Sequence, residues 1–598
     1  MPEYKAPLRD MKFVMQELLD CDAHYQSLGF EDASLDMVDA IMSEAGKFNE
    51  QVLAPLNQIG DQQGCTFNDG TVTTPEGFKE AYQQYIEGGW PTLSQPEEFG
   101  GQALPESLNT AIGEFALSAN HSFAMYPGLS HGASETIMAH GTDELKNMFL
   151  PKLTDGSWTG TMCLTEPHCG TDLGMLRTKA ELNDDGTYSL TGTKIFISAG
   201  EHDMSDNIVH VVIARIAGAP EGTKGISLFI VPKFNVDQNG EIVDRNDVSC
   251  GSIEHKMGIN ANATCVMNFD GAKGYLIGEE NRGLNCMFTF MNVARLGVAN
   301  EGVAAAEASY QGALAYAKDR LQMRSLSGPK NPNGPADPII VHPDVRRMLL
   351  TQKSIAEGGR AFIAYLAQLV DIVHVEKDAE KRAIADSKLA LLTPIAKAFL
   401  TETALECTSH GVQVLGGHGF IKEWGMEQLM RDTKISCLYE GTTGIQALDL
   451  LGRKVLGSKG ELLKAFAAEV GQFCQEASSN EDMLEFIKPI MKHADEWQTL
   501  TQTIGMKAMQ NPDEVGGASV DYLMFSGYLT LAYFWAKMAK ASLEALANGT
   551  DDAPFYQAKL KTARFYFQRI LPRVDGHSSC IENGVASMMA HDVEEFEF

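Results

Sequence analysis

The chain has 598 residues, 44% hydrophobic and 21% charged, the composition of a folded protein long enough for large cores. Its 48 Lys and Arg against 79 Asp and Glu give a net charge of −31 at pH 7. That balance excludes phosphate backbones and anionic lipid as general partners, so a nucleotide would need a local basic or helix-N-terminal site. The eleven cysteines are scattered, with no C-x-x-C pair. This predicts reduced thiols in a cytoplasmic protein, with neither a disulfide framework nor a zinc site. The opening MPEYKAPLRDMKF has no apolar core region and reads as no secretory signal. The most apolar stretch, Tyr522–Ala536, is shorter than the ~20 residues of a membrane span and predicts a buried helix.

At a prior of about 150 residues per domain, this length predicts three to five domains. In chain order, 1–36 reads as an extension and 37–158 as a helical domain. Spaced apolar positions predict helices over Met37–Phe48 and Glu106–Leu117, and the Pro/Gly cluster Trp90–Gly101 marks a break. From 159 to 280 the texture is β. Tyr188–Ser198, Ile208–Ile216, Gly225–Val231 and Thr264–Asp270 are short and rich in β-branched residues, and Asp185-Gly186 signals a hairpin turn. The helical period returns over 281–465, with helices at 285–324, 341–376, 380–410 and 442–456 and one Pro-rich loop at Ser327–Pro338. Glu476–Asp482 reads as a linker inside a C-terminal helical extension, 466–598, whose main module spans about 483–572 and which ends in the acidic tail Asp592–Phe598. The class is α+β, mainly α.

Five segments could hold chemistry. Gly128–Gly132 reads GLSHG, a G-x-S-x-G match that would make Ser130 the nucleophile of a thioester hydrolase, if a strand preceded it. Met162–Asp172, MCLTEPHCGTD, sets Thr165, Glu166, Thr171 and Asp172 around Pro167 and Gly170, a turn able to face a planar heterocycle or a pyrophosphate. In Gly192–Gly200, GTKIFISAG, alternation places Phe196 and Ser198 on one strand face and Ile195 and Ile197 on the other. In Gln413–Phe420, QVLGGHGF, adjacent glycines permit close backbone approach, Gln413 can bond an amide or ribose, and His418 reads as structural. It follows a helical pattern, which disfavours a Rossmann site. Last, KISCLYEGTTGIQALDLLG, residues 434–452, puts Glu440 at a flexible Gly-Thr turn against a helix start. A desolvated carboxylate there is a stronger base, as proton abstraction beside a carbonyl requires; a capping acid is the alternative.

Together these segments resemble the acyl-CoA dehydrogenase family of flavoproteins. TEPHCGTD resembles the T-E-P-x-x-G-S-D signature and KIFISAG the K-x-W-I-T-N-G strand. QVLGGHGFIKEWGMEQLMRD followed by LYEGTTGIQ resembles the second signature and the catalytic segment. The core resemblance covers roughly 37–465. Length and extensions resemble the long bacterial branch, which includes 3-(methylthio)propanoyl-CoA and fatty acyl-CoA dehydrogenases. The fold it implies is a helical domain, a β-barrel-like middle domain and a helical-bundle domain, here with an extra C-terminal helical domain.

The resemblance implies that Glu440 removes the α-proton of an acyl-CoA thioester while FAD takes the β-hydride. It implies that Leu164, Thr165, Phe196 and Ser198 line the flavin, Phe196 replacing a tryptophan and Ser198 a threonine. Arg320, Gln322, Gln413, Gly416 and Gly417 would reach the FAD pyrophosphate of a neighbouring subunit, and Thr442 the adenosine part. Thr171, Arg295 and Gly441 would stand on the substrate side. Gly444 departs from the common glutamine. Asn292, Val293 and Ala294 offer no alternative base beside Arg295. The implied activity is dehydrogenation of a medium- to long-chain fatty acyl-CoA to trans-2-enoyl-CoA in β-oxidation, by a homodimer that passes electrons to electron-transfer flavoprotein. A 3-(methylthio)propanoyl-CoA dehydrogenase and an acyl-CoA oxidase share the same site; the C-terminus, EEFEF, is no peroxisomal S-K-L signal.

Overall fold

In the computed structural model residues 3–598 are described. They form two compact units: Asp36–Gly297, and the residues up to Leu35 with Val298–Phe598.

The first unit opens with helices that include Ala54–Gln63, Phe78–Glu87, Glu106–Ala119, His121–His140 and Asp143–Thr154, and with a small hairpin, β1 (Thr66–Asn68) and β2 (Thr71–Thr73). Polar side chains start the helices: Asn120 Oδ1 accepts from Phe123 N–H at 3.1 Å and Thr142 Oγ1 from Leu145 N–H at 3.3 Å. The expected break at Trp90–Gly101 is two short 3₁₀ turns.

The β region follows: β3 (Trp158–Cys163), β4 (Lys179–Leu182), β5 (Tyr188–Ser198), β6 (Asn207–Ile216), β7 (Ile226–Pro232), the outlying hairpin β8 (Phe234–Val236) and β9 (Ile242–Arg245), β10 (Val248–Ile253) and β11 (Thr264–Ile277). β11 pairs with β5, β5 with β4, β4 with β6, β6 with β7 and β7 with β11. That ring closes, so the middle region is a barrel, with β3 and β10 added at the sides. Both faces are packed. Val212, Ala214, Phe229 and Val231 join one core, while Val209, Val211, Ile213, Leu228 and Ile230 join a second with Phe149, Met287 and Phe290. The Asp185-Gly186 turn is present: Gly186 has φ +82°, and β4 and β5 run antiparallel on either side. The strand expected at Thr264–Asp270 runs on to Ile277, because Ala272–Gly274 go on pairing with β5 and Tyr275–Ile277 pair with β7.

The second unit is helical. Helix Gly283–Asp319 begins in the first unit and ends in this one; Pro343–Val375 and Ala379–Leu415 follow. The helix expected to reach 324 stops at Asp319. Arg320 and Leu321 instead close a loop: Ile339 N–H donates to the Arg320 carbonyl, and Leu321 bridges to Pro338. Asp337 holds the interior of that Pro-rich loop, accepting from the N–H groups of Ser325, Lys330 and Asn331. The pattern at 442–456 resolves into an α-helix, Thr443–Leu448, and a π-helix, Asp449–Leu456. The expected linker is shorter than 476–482, since helix Glu461–Ala477 runs into it and a 3₁₀ turn, Glu481–Met483, leaves it. The extension continues with Leu484–Ala508, Asp513–Ala547, Ala553–Phe565 and Val574–Asn583. Tyr522–Ala536 is helical and buried as expected, with Phe534, Trp535 and Ala536 all 0% exposed. Among the described residues, no helix is long and apolar enough to cross a membrane.

Candidate active site

In the first unit, β3 delivers Leu164 and Thr165 at its C-terminal end. The following turn is closed by reciprocal backbone bonds between Glu166 and Cys169, at 2.8 and 3.1 Å. Its anchor is buried. The Glu166 carboxylate accepts from Lys194 Nζ at 2.9 Å, Arg177 N–H at 2.7 Å and Thr178 N–H at 3.0 Å. Burial alone would raise the Glu166 pKa; Lys194 and these N–H donors bring it down to about 2. Burial lowers the pKa of Lys194, and Glu166 opposes that shift. Lys194 Nζ also donates to the Leu164 carbonyl at 3.0 Å, and Ile195 N–H to the Thr165 carbonyl at 2.9 Å. The two motifs are therefore one edge.

On that edge the strict alternation of β5 fails. Cys265 faces Ile197 and Met267 faces Lys194, so Ile195 and Phe196 oppose the single residue Val266. This is a β-bulge, and Phe196 takes a left-handed φ of +59°. Phe196 is 59% exposed, Ser198 and Thr165 are half-buried, and Thr171 is exposed farther along the turn. An edge with an exposed aromatic and hydroxyl residues, anchored by a buried ion pair, suits a planar heterocycle such as a flavin. Arg295 lies half-buried on helix Gly283–Asp319.

The second unit holds the other residues. Glu440 has φ +55° and Gly441 φ +89°. A left-handed non-glycine residue costs about 1–2 kcal/mol and persists where its surroundings determine it. Here they do. Lys397, fully buried, donates through Nζ to the Ser436 carbonyl at 2.8 Å and the Gly441 carbonyl at 2.7 Å. Gln446 Nε2 donates to the Glu440 carbonyl at 2.9 Å. Glu301 Oε2 accepts from Ser436 Oγ at 2.7 Å and Tyr439 OH at 2.5 Å. Burial, with Glu301 adding to it, pushes the Tyr439 phenol well above its ordinary pKa. Thr442 caps the next helix, accepting from Ile445 N–H at 3.3 Å, and Thr443 Oγ1 donates to Glu402 at 2.6 Å.

The remaining expected residues gather at one end of this bundle. Arg320 follows helix Gly283–Asp319, and the Gln413–Phe420 segment ends helix Ala379–Leu415. Tyr316 joins them: its hydroxyl lies 2.9 Å from His418 Nδ1, and the His418 ring stacks on Trp424 at 4.5 Å. Arg320, Gln322, Gln413, Gly416 and Gly417 are all exposed. Gly416 has φ +62°, and a Cβ at Gly416 or Gly417 would meet nothing within 4 Å. Open glycines, an amide and a guanidinium suit a nucleotide pyrophosphate in an otherwise acidic chain.

Ser130 is no nucleophile elbow. It lies inside helix His121–His140, 8% exposed, with Oγ donating to the Tyr126 carbonyl and accepting from Gly160 N–H, both at 3.0 Å. A strand-to-helix turn is what that motif requires, and none is here. The hydroxyl instead joins helix to β3. Lys194, Lys397, Glu301 and Gln446 carried no expected role. One signal for Lys397 was legible: a cation inside the apolar run Pro394–Leu400, where nearly every neighbour is core.

Residues 38–157, 161–272 and 281–456 match the family models for the N-terminal, middle and C-terminal domains of acyl-CoA dehydrogenases, and 466–592 match an acetyl-CoA dehydrogenase C-terminal-like model. The chain is 42% identical to a 3-methylmercaptopropionyl-CoA dehydrogenase of Ruegeria pomeroyi, over 98% of this chain and 99% of that one. It is 34% identical to a broad-specificity linear acyl-CoA dehydrogenase of Mycobacterium tuberculosis, over the full length of both. A Bacillus anthracis acyl-CoA dehydrogenase solved with FAD shares the fold, with a TM-score of 0.75 at 22% identity over 92% of this chain and 89% of that one. The chain belongs to the acyl-CoA dehydrogenase family, oxidoreductases that act on a CH–CH bond with FAD as cofactor.

Proposed function

We propose that this chain converts a linear fatty acyl-CoA, of medium to long chain, to its trans-2-enoyl-CoA, with Glu440 as the base. The observation that carries the reading is the Glu440 turn, held in a left-handed conformation by Lys397, Gln446 and Glu301. The α-proton of a thioester is too weak an acid for a solvated carboxylate to remove quickly. A positioned general base contributes roughly 10²–10⁴ in rate. In this reading the Glu440 backbone N–H stabilises charge developing on the thioester oxygen. Bound FAD supplies the two-electron sink for the β-hydride. Leu164, Thr165, Phe196 and Ser198 hold the flavin; Thr171, Arg295 and Gly441 stand on the substrate side. Arg320, Gln322, Gln413, Gly416 and Gly417 reach the cofactor of a second copy, with Thr442 at the adenosine part of FAD, so the working form is a homodimer. Electron-transfer flavoprotein is the acceptor.

The 42% identical Ruegeria relative favours a second reading, in which the substrate is 3-(methylthio)propanoyl-CoA. One experiment separates them. The purified protein is titrated anaerobically with butyryl-, octanoyl-, palmitoyl- and 3-(methylthio)propanoyl-CoA, and the flavin band is followed. Octanoyl- or palmitoyl-CoA is expected to bleach it at the lowest concentration; if the methylthio thioester does so, the second reading replaces the first. The reduced protein is expected to reoxidise faster with electron-transfer flavoprotein than with oxygen, and the reverse would make it an oxidase. Glu440→Gln is expected to stay yellow and lose turnover. Near-normal turnover in that variant would remove Glu440 as the base.

A further inference from the structure

Lys397 stands behind the Glu440 turn. Its side chain is fully buried on helix Ala379–Leu415. The two carbonyls it binds, Ser436 and Gly441, bracket residues 437–440. One tetrahedral ammonium thus ties both ends of the segment that presents Glu440, through charge-assisted bonds. Glu301 grips the same segment through Ser436 Oγ and Tyr439 OH, and Gln446 holds the carbonyl of Glu440 itself. A return of Glu440 and Gly441 to right-handed backbone would swing their carbonyls off these donors. The left-handed turn and the buried lysine are therefore two parts of one arrangement.

We infer that Lys397 is a positioning residue for the reaction: by holding the Ser436 and Gly441 carbonyls it fixes the direction of the Glu440 side chain. The inference rests on the reading of Glu440 as the base. Aim matters to chemistry more than to binding, since a misplacement of about 1 Å costs on the order of 10²-fold in rate.

The test compares Lys397→Met, Lys397→Gln and Lys397→Arg with the wild type and with Glu440→Gln, each as the FAD-loaded protein. Flavin reduction at saturating acyl-CoA is timed anaerobically from pH 5 to 9, and enoyl-CoA binding is measured separately from the shift of the flavin spectrum. Expected for Lys397→Met is reduction slowed on the order of 10²-fold. Enoyl-CoA affinity is unchanged, and Lys397→Arg restores part of the rate. A wild-type rate would overturn the inference. So would a slow rate matched by an equal loss of enoyl-CoA binding with no recovery by arginine, since that describes packing alone. If the Met variant does not accumulate, Lys397→Gln is read by the same criteria. Turnover retained in Glu440→Gln overturns the base reading whatever Lys397 does. A silent Lys397 beside a dead Glu440→Gln overturns only this inference.

Discussion

Glu166 and Lys194 are letters of the two motifs proposed to hold the flavin, yet both side chains are buried beneath that edge. Glu166 is 3% exposed and takes three hydrogen bonds, one from a lysine that is itself fully buried. Breaking a buried ion pair from one side costs about 3–5 kcal/mol, because a charge is left uncompensated in low dielectric. Lys194→Met is expected to lower stability by that amount in a urea titration. Lys194→Met with Glu166→Gln should recover part of it, since the stranded charge is gone. A loss under ~1 kcal/mol in the single variant would mean that water reaches Glu166 and that the pair is no anchor. The motifs were legible in the sequence because their residues are adjacent. The pairing was not, because Glu166 lies in the turn after β3 and Lys194 on β5, 28 residues on, and they meet only in the folded chain. Lys397 and Glu440 are separated in the same way.

At the scale of elements, local pattern was legible wherever one residue type dominated. The β-branched runs at 188–198 and 208–216 became β5 and β6, and Asp185-Gly186 became the hairpin turn between β4 and β5. Alternation alone could not show the bulge at Ile195–Phe196, which depends on how many residues β11 sets opposite. Nor could spacing tell a G-x-S-x-G elbow from the interior of helix His121–His140. That helix holds a different polar contact. His131 Nε2 lies 3.3 Å from Glu106 Oε1 on helix Glu106–Ala119, and the Gln95 amide lies 3.1 Å from Nδ1. Burial would lower the His131 pKa, but Glu106 raises it from 6.5 to about 9. Glu106, against its own burial, is brought by His131 from 4.5 to about 2. A raised pKa contributes stability that is full below 6.5 and lost as pH climbs through 9. The depressed carboxylate contributes above 4.5 and is lost as pH falls through 2. The pair is thus strongest between these windows. Wild-type protein should lose melting temperature from pH 6.5 to 9, and His131→Gln should lose less over the same range while starting lower. Parallel curves for the two proteins would show that His131 stays neutral.

For the whole molecule the open question is assembly, and residues 466–598 bear on it. Within the second unit, helix Asp513–Ala547 lies on the bundle. Trp535 Nε1 donates to the Ser354 carbonyl at 3.0 Å, Phe534 stacks on Phe362 at 5.3 Å, and Gly527 leaves no room for a Cβ against Phe399. From the other terminus, Asp10 pairs with both Arg360 and Lys559, tying the N-terminal arm, the bundle and the extension together in a buried charge cluster. The bundle face formed by Pro343–Val375 and Ala379–Leu415 is therefore covered by the chain itself. Hydropathy could mark Tyr522–Ala536 as buried, but it could not name the surface that buries it. What stays open is the end bearing Arg320, Gln413, Gly416 and Gly417, the set proposed to reach a second copy's cofactor. One face covered and one open argue for a dimer that does not pair further. Light scattering of the FAD-loaded protein is expected to give twice the chain mass. Stripping the FAD should shift that equilibrium toward monomer, because a ligand that binds only the assembled form stabilises it by mass action. Arg320→Ala should weaken FAD retention and dimerisation together. A stable tetramer would show that the extension does not close the bundle face. A dimer indifferent to both FAD and Arg320 would place the interface elsewhere.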